Sequence, residues 1–399
     1  MGGGLMQLVA YGAQDIYLTG NPQITFWKVV YRRCTNFAIE SVEQTFMGNA
    51  TAGSRATATI SRNGDLVSNC VLEVQLTGNA GNNAESDLTA SGLHNLVESV
   101  EVEIGGQKID KHYAAWLQIW NELSNAHFGP NTADDAPVTS GYGKVVGVSD
   151  QVRAGVVTTL YCPLVFWFNR NPGLALPLIA LQYHEVKFNF QFSAAGALSA
   201  TAGQAPTINS IKMFVDYIYL DTEERRRFAQ QSHEYLIDQV QYTGAVARTA
   251  GAGATQSLRL DFNHPCKELV WVLKETTRGA GGAGAPCDFK DIGAEGGTAL
   301  LQLNGHDRFA KRPMNYFTRV QPLQHHTNVP HGDRIGVYSF GLRPEDHQPS
   351  GTCNFSRIDN ATLQLNDAGN GAADEYQVYA TNYNVLRIMS GMGGLAYSN

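Results

Sequence analysis

The sequence predicts an all-β fold laid down twice, as two tandem β-sandwiches or jelly rolls. Three observations carry this expectation. Short runs alternate apolar and polar residues with a period of two, divided by Gly, Asn and Asp turns. One run, residues 100–110 (Val-Glu-Val-Glu-Ile-Gly-Gly-Gln-Lys-Ile-Asp), sets Val100, Val102 and Ile104 against Glu101 and Glu103, turns at Gly105-Gly106 and resumes at Ile109. A second copy stands at residues 300–309, where Leu301 and Leu303 flank Gln302 and Asn304-Gly305 makes the turn. Both dipeptides accept the positive φ that a two-residue hairpin turn needs.

The copies stand half a chain apart. Val102 to Leu301 and Ile104 to Leu303 are each shifts of 199 residues in a chain of 399. Other landmarks keep the order: Glu40-Ser41-Val42 answers to Asp238-Gln239-Val240, Ile60 and Asn63 to Leu260 and Asn263, and Leu72 and Val74 to Trp271 and Leu273. Phe168 and Pro172 answer to Phe340 and Pro344 at a shift of only 172, so the second copy has lost residues in its middle. An ordered series of this kind is the mark of an internal repeat.

In chain order, residues 5–11 are a short apolar arm, whose Leu5, Met6, Leu8 and Tyr11 are candidates for packing on a neighbour. The folded body begins at residues 22–33. Strands are expected at 37–45, 57–61, 71–76 and 99–104. The period then changes, because Tyr113, Trp116, Leu117, Trp120 and Leu123 fall at helical spacing before Gly129-Pro130 stops them. A loop at 131–140 precedes strands at 158–168 and 185–192, an Ala/Gly/Ser loop at 193–206 and a last strand at 211–220. Asp221-Thr222-Glu223-Glu224 has capping-box spacing and opens a linker helix. Its Arg225-Arg226-Arg227 run is expected to form salt bridges at a junction. In the second half, the Gly/Ala-rich stretches 244–255 and 276–297 are expected to be exposed tips, with 279–285 a tip that anchors no core. The expected divisions are an arm at 1–25, a first sandwich at 26–220, a linker helix at 221–234 and a second sandwich at 235–399.

Composition narrows the function. Apolar residues make up 43%, enough for packed cores, whereas charged residues make up only 16%. An average soluble domain carries roughly 25%, so other copies are expected to cover much of the surface. A net charge of −7 argues against a nucleic-acid face, which would need clustered cations. Six cysteines without Cys-x-x-Cys spacing read as buried free thiols in a reducing compartment.

No constellation for chemistry emerges. His325 and His326 would face opposite sides of a strand, Pro330 separates His331 from them, and no carboxylate stands at ligand spacing before Asp333. A surface loop is the expected setting for these histidines. The Gly-rich stretches lack the Lys-Ser/Thr ending of a phosphate-binding loop, and no Gly-x-Ser-x-Gly elbow occurs. The expectation is therefore no catalytic residue, no metal ligand and no cofactor. Three sequons, at Asn49, Asn354 and Asn360, are glycosylation candidates, though with no secretory leader read each is expected to be a chance match. A glycan- or receptor-binding β-sandwich is the alternative function, with a cupin-type metal enzyme more remote.

Several blocks carry a resemblance that spans the chain. Residues 5–41, 104–113 (Ile-Gly-Gly-Gln-Lys-Ile-Asp-Lys-His-Tyr), 171–185 (Asn-Pro-Gly-Leu-Ala-Leu-Pro-Leu-Ile-Ala-Leu-Gln-Tyr-His-Glu), 228–237, 348–363 and 383–398 closely resemble major capsid proteins of the nucleocytoplasmic large DNA viruses. The nearest likeness is to phycodnavirus-like members. The resemblance implies a double jelly roll, all-β, of two eight-stranded sandwiches with a few short helices in loops and linker. It further implies a homotrimer of near-hexagonal outline, tiling an icosahedral shell beside neighbouring capsomers, minor capsid and penton proteins and an internal membrane. The arm is similar to the family's interior-facing base segment, and assembly in the host cytoplasm is implied. Stretches 244–255 and 276–297 are short for the family, which speaks against a tall decorated tower.

Overall fold

The computed structural model describes residues 3–24, 26, 33–79, 85–125, 141–148, 151–201, 203–248, 254–278, 282–293, 297–330, 332–366 and 374–397. The Gly129-Pro130 stop, the loop at 131–140 and His331 lie outside the described residues, as do 249–253, 279–281 and 294–296 of the expected tips. The chain falls into two compact units, Met1–Phe37 and Ala38–Asn399.

The first unit carries helix α1 (Gly3–Val9) and a helical turn at Ile16–Thr19. Asp15 ties the link between them by accepting from the Gly12 amide at 2.7 Å. Leu5, Met6, Leu8, Val9, Tyr11, Ile16, Tyr17 and Leu18 all stand exposed, Leu8 at 78%.

The second unit holds both sandwiches. The first is built from β1 (Phe37–Gln44), β2 (Arg55–Thr59), β3 (Leu66–Thr77), β4 (Val97–Ile104), β5 (Gln107–Tyr113), β6 (Thr158–Pro163), β7 (Val186–Phe192) and β8 (Thr207–Leu220). One sheet runs β1-β8-β3-β6 and the other β2-β7-β4-β5. The second is built from β9 (His233–Ala247), β10 (Thr255–Arg259), β11 (Pro265–Glu275), β12 (Thr298–Leu303), β13 (His306–Asp307), β14 (Ile335–Ser339), β15 (Ala361–Asn366) and β16 (Asp374–Met389). Its sheets run β9-β16-β11-β14 and β10-β15-β12-β13, the same order, and β17 (Met392–Leu395) adds to β16. This is the double jelly roll. The landmark pairs occupy equivalent strands, Leu72 and Trp271 on β3 and β11, Val102 and Leu301 on β4 and β12.

The cores follow the period-two rule wherever one face is covered. On β7, Val186, Phe188, Phe190 and Phe192 point inward and alternate with Lys187, Asn189 and Gln191. Each buried Phe contributes about 1.5–3 kcal/mol, so a one-residue slip would forfeit the set. On β11 the alternation vanishes, because both faces are covered. Leu269, Trp271 and Leu273 join the second core, while Val270 and Val272 join the core of the first sandwich together with Tyr379 of β16. A nearly unbroken apolar run is what a strand buried on both faces requires.

Several expectations change. The helical stretch is α2 (Ala114–Ser124), with Tyr113 ending β5 as its N-cap. The strand expected to reach 168 stops at Pro163, and Trp167–Arg170 is a helical turn. Linker helix α3 (Thr222–Gln230) is capped by Asp221, whose side chain accepts from the Thr222 amide. Its Arg225 reaches Asp65 of the first sandwich at 2.9 Å, a salt bridge at a junction as the sequence reading expects. Stretch 276–297 is no simple tip: Thr277–Arg278 pairs with Gly282–Ala283, and Ala285, Cys287 and Ile292 are buried. Likewise, residues 244–247 continue β9 past an irregularity in its register.

Both organising hairpins have the expected turn. Gly105 and Gly106 have φ of 57° and 85°, and Asn304 and Gly305 have 51° and 80°. Asn304 is also fastened to the neighbouring strand, donating its amide to the Asn360 carbonyl at 2.7 Å. The return strand ends at Asp307, and Phe309 packs on the second core from just beyond it. Replacing Asn304 with Val forces a β-branched residue into the left-handed region, at a cost of about 1–2 kcal/mol. Asn304→Gly should unfold close to the parent and Asn304→Val clearly below it in urea titrations. Equal midpoints for all three would show that the turn does not set the register.

Candidate functional site at the junction of the two sandwiches

The doubly covered sheet makes the seam between the halves the most chemically distinctive part of the chain. From the first sandwich, β5 brings Ile109, Asp110 and Tyr113, α2 brings Trp116 and Trp120, and the turn at Trp167–Arg170 brings Arg170. From the second, β9 brings Asp238, Gln239, Val240 and Tyr242, β11 brings Lys267 and β16 brings Tyr379 and Tyr383.

Backbone polar groups are matched across the seam. The Asp110 carboxylate accepts from the Val240 amide at 3.0 Å, and the Gln239 side chain donates to the Ile109 carbonyl. Gln239 in turn accepts from Asn384 at 3.0 Å, so a chain of amides links both halves to β16. Further along, Leu395 of β17 donates to Gln107 at 3.2 Å and Cys287 donates to Asn95 at 2.9 Å. Beside these contacts Tyr113, Tyr242 and Tyr379 cluster, with ring centroids 4.9 and 4.8 Å apart from Tyr242, and Trp116 lies 5.8 Å from Tyr379.

Two ionic groups are built into this region. In the first, Asp238 lies 3.6 Å from Arg170 and 3.0 Å from Lys267, whose side chain is 1% exposed. Arg170 stacks over Trp120 at 4.2 Å and Lys267 over Tyr383 at 4.6 Å. Lys267 also donates to the Pro344 carbonyl at 3.0 Å, gripping residues 341–350 from below. Burial pulls the Lys267 ammonium below its ordinary range, against the opposing pull of Asp238.

In the second, His326 stands between Glu268 at 3.0 Å and Glu345 at 2.9 Å, one carboxylate on each ring nitrogen. It follows helix α4 (Gln321–His325) and its side chain is fully buried, so the expected surface loop is wrong for this residue. Burial alone would depress its pKa; Glu268 and Glu345 outweigh burial and raise it to about 9. Glu268 is held below its ordinary range in spite of burial, chiefly by the His326 charge. Thr381 completes the shell of Glu268 at 3.2 Å. His325, by contrast, points outward to the Leu342 carbonyl at 3.0 Å.

A buried neutral histidine provides the contrast. Burial lowers His94 to about 4, and its ring is spanned by Gln118 at 2.7 Å and Asn121 at 3.0 Å. Nothing in these arrangements presents a nucleophile beside a base. Among the described residues, no group of three His, Cys, Asp or Glu is arranged to hold a metal ion.

The remaining candidates are the sequon asparagines and the arm. Asn49, Asn354 and Asn360 are all exposed, but the Asn354 side chain is occupied, accepting from the Ser356 amide at 3.0 Å. Leu5, Met6, Leu8 and Tyr11 belong to the separate first unit. The sequence reading missed the ionic groups. Their signal was Lys267-Glu268 at the head of the run Leu-Val-Trp-Val-Leu, charges where a buried strand begins.

A double sandwich with a buried ionic seam and no nucleophile beside a base in it fits a structural building block rather than a ligand-processing protein. Comparison with known proteins agrees. Residues 25–221 match the family model described as major capsid protein N-terminus, and residues 224–394 match large eukaryotic DNA virus major capsid protein. The major capsid protein of Pyramimonas orientalis virus is 52% identical with complete coverage of both chains, and that of Paramecium bursaria Chlorella virus 1 is 46% identical with the same coverage. The chain in the quasi-atomic model of the PBCV-1 virus capsid superposes with a TM-score of 0.77 at 40% identity, covering 94% of this chain and 100% of that one. The chain belongs to the major capsid protein family of large eukaryotic DNA viruses. It is a structural component of the virion capsid and not an enzyme.

The His326 site gives a pH dependence of definite sign. Its folded pKa lies above the ordinary 6.5, so its stabilisation is complete below about pH 6.5 and is lost as pH rises through about 9. Glu268 and Glu345 are the charged groups facing it, and Lys267 acts on Glu268 in turn. His326→Gln strands a buried carboxylate and should destabilise by about 3–5 kcal/mol at pH 6. Urea midpoints of parent and variant should converge between pH 6 and 10, and a constant gap would refute the ion pair.

Proposed function

We propose that three copies of the chain associate into a pseudo-hexameric capsomer that tiles an icosahedral shell. The observation that carries this reading is the same strand order repeated in one rigidly sealed unit. Three chains with two like sandwiches each supply six similar blocks, which approximates a hexagonal outline from a trimer. The division is an arm at 1–25, a first jelly roll at 26–220, a linker helix at 221–234 and a second jelly roll at 235–399. The exposed Leu5, Met6, Leu8 and Tyr11 of the arm supply apolar contacts for assembly. Neighbouring capsomers, minor capsid and penton proteins and an underlying viral membrane are the partners, with no direct nucleic-acid contact. Assembly takes place in the host cytoplasm. The three sequon asparagines Asn49, Asn354 and Asn360 are the positions where any sugar would be carried.

The low charged fraction of 16% fits large apolar contacts within the trimer, which salt does not screen. Light scattering should report three times the 43.4 kDa chain mass, unchanged between low and high salt. A monomer throughout the micromolar range would overturn the reading. Removing residues 1–20 should leave the melting temperature near that of the parent and reduce formation of assemblies larger than the trimer. Unimpaired assembly would remove the arm from this role.

A further inference from the structure

Six cysteines are present, and the fold brings one pair of them face to face. After the segment 341–352, Cys353–Asn354 forms a two-residue strand against the start of β11, with Cys266 directly opposite Cys353 and Pro265 opposite Asn354. The next rung is a hydrogen-bonded one, since Phe355 donates its amide to the His264 carbonyl at 3.1 Å. Rung types alternate along an antiparallel ladder, so the Cys266–Cys353 rung is hydrogen-bonded too, with Cα atoms about 5.5 Å apart. That Cα separation is common for a disulfide, and directly opposed residues project to the same face of the sheet. The Cβ atoms of such a rung stand about 5.5 Å apart, so closing the bond requires the short strand at Cys353 to move in by about 1 Å.

We propose that Cys266 and Cys353 are an oxidation site, assembled as free thiols and closed to a cross-strand disulfide once the protein meets an oxidising environment. Both side chains lie at the second core, Cys266 within it and Cys353 packed against its edge. Cys353 is partly exposed and Cys266 is buried. An oxidant therefore reaches Cys353 first and Cys266 resolves the product. Arg308 lies close enough to Cys353 to favour its thiolate, against a burial that raises the pKa of both thiols. With a peroxide as oxidant, the Cys353 sulfur attacks one peroxide oxygen and becomes a sulfenic acid, releasing one water. The Cys266 sulfur then attacks the Cys353 sulfur, the S–S bond forms, the S–O bond breaks and a second water leaves. Two thiols are oxidised by two electrons and one hydrogen peroxide is reduced to two waters.

The other cysteines do not share this geometry. Cys162 stands opposite Leu72, which leaves it two residues out of step with Cys70, and both are fully buried. Cys287 is buried at the seam, and Cys34 is exposed in the first unit. The bond would fasten the far end of the segment whose near end Lys267 and His326 already hold. A virion component passes from a reducing cell to an oxidising medium, and such a bond would be made only after the shell exists.

The test uses the full chain purified under reductant, desalted, treated with hydrogen peroxide or diamide, then alkylated in denaturant. The expected result is loss of two alkylatable thiols, a non-reduced peptide joining Cys266 to Cys353, and a melting temperature several degrees higher that reductant reverses. Cys353→Ser and Cys266→Ala should each abolish the linked peptide and the shift. Mapping of the unsubstituted protein decides the matter even where a variant folds poorly. Full alkylation of both residues after oxidation, or linkage only through Cys34 between chains, would overturn the proposal.

Discussion

One buried carboxylate, that of Asp238, carries two cations drawn from opposite sides of a seam, and the seating of one sandwich on the other depends on it. The apolar part of the seam, with Val270, Val272 and Tyr379, supplies attraction but little direction. Ions supply direction, because removing each from water costs several kcal/mol and only good geometry offsets that cost. Arg170 is positioned by Trp120 and Lys267 by Tyr383, so both cations are held before Asp238 meets them. Sliding the halves by one residue would part Arg170 from Asp238 and leave a buried cation unmatched, while Lys267, on the same half as Asp238, would keep its partner. The seam therefore has one register, and the two jelly rolls behave as a single block.

That same constraint explains why the two copies have diverged. β3 keeps the alternating burial of a strand with one covered face over most of its length, from Cys70 to Thr77. Its counterpart β11 is covered on both sides, and selection for a pleated amphipathic strand no longer applies there. Helix α2 in the first copy and the segment around Phe317 and His326 in the second fill corresponding gaps in different ways. The first brings Trp116 and Trp120 to the seam; the second brings Phe317 to the second core and His326 to Glu268. Duplication set the strand order, and the seam then dictated which strands lost their polar face.

The fold was legible because its evidence is local. Turn residues with positive φ and period-two runs are written within a few positions of each other, which is why Asn304-Gly305 and the Val102/Leu301 correspondence read correctly. The seam was not, because its partners are far apart in sequence: Arg170 and Asp238 are 68 residues apart, and Glu268 and His326 are 58 apart. His326 read as a surface residue because Pro330 and nearby polar residues suggested a loop, whereas two carboxylates brought from elsewhere pull it inside. Composition misled in stretch 276–297 for a related reason. Small residues look like a free tip, yet Ala285 is buried, and beside it Gly284 packs so closely on the Glu275 carbonyl that an added Cβ would collide with it.

The perturbed ionisable groups also bear on why this molecule builds and does not react. Catalytic groups are shifted in pKa while keeping a lone pair or proton available in a cleft. Here both nitrogens of His326 face carboxylates, and Lys267 is divided among Asp238, Pro344 and the ring of Tyr383. Gln118 and Asn121 likewise engage both nitrogens of His94. Each group is perturbed by burial and then satisfied by partners within the chain, with no face left for a substrate. Shifts of this kind fix the relative position of strands. In a subunit repeated many times over a closed surface, a small error in that position would be multiplied at every contact, so rigidity at the seam is the property that the assembly needs from each chain.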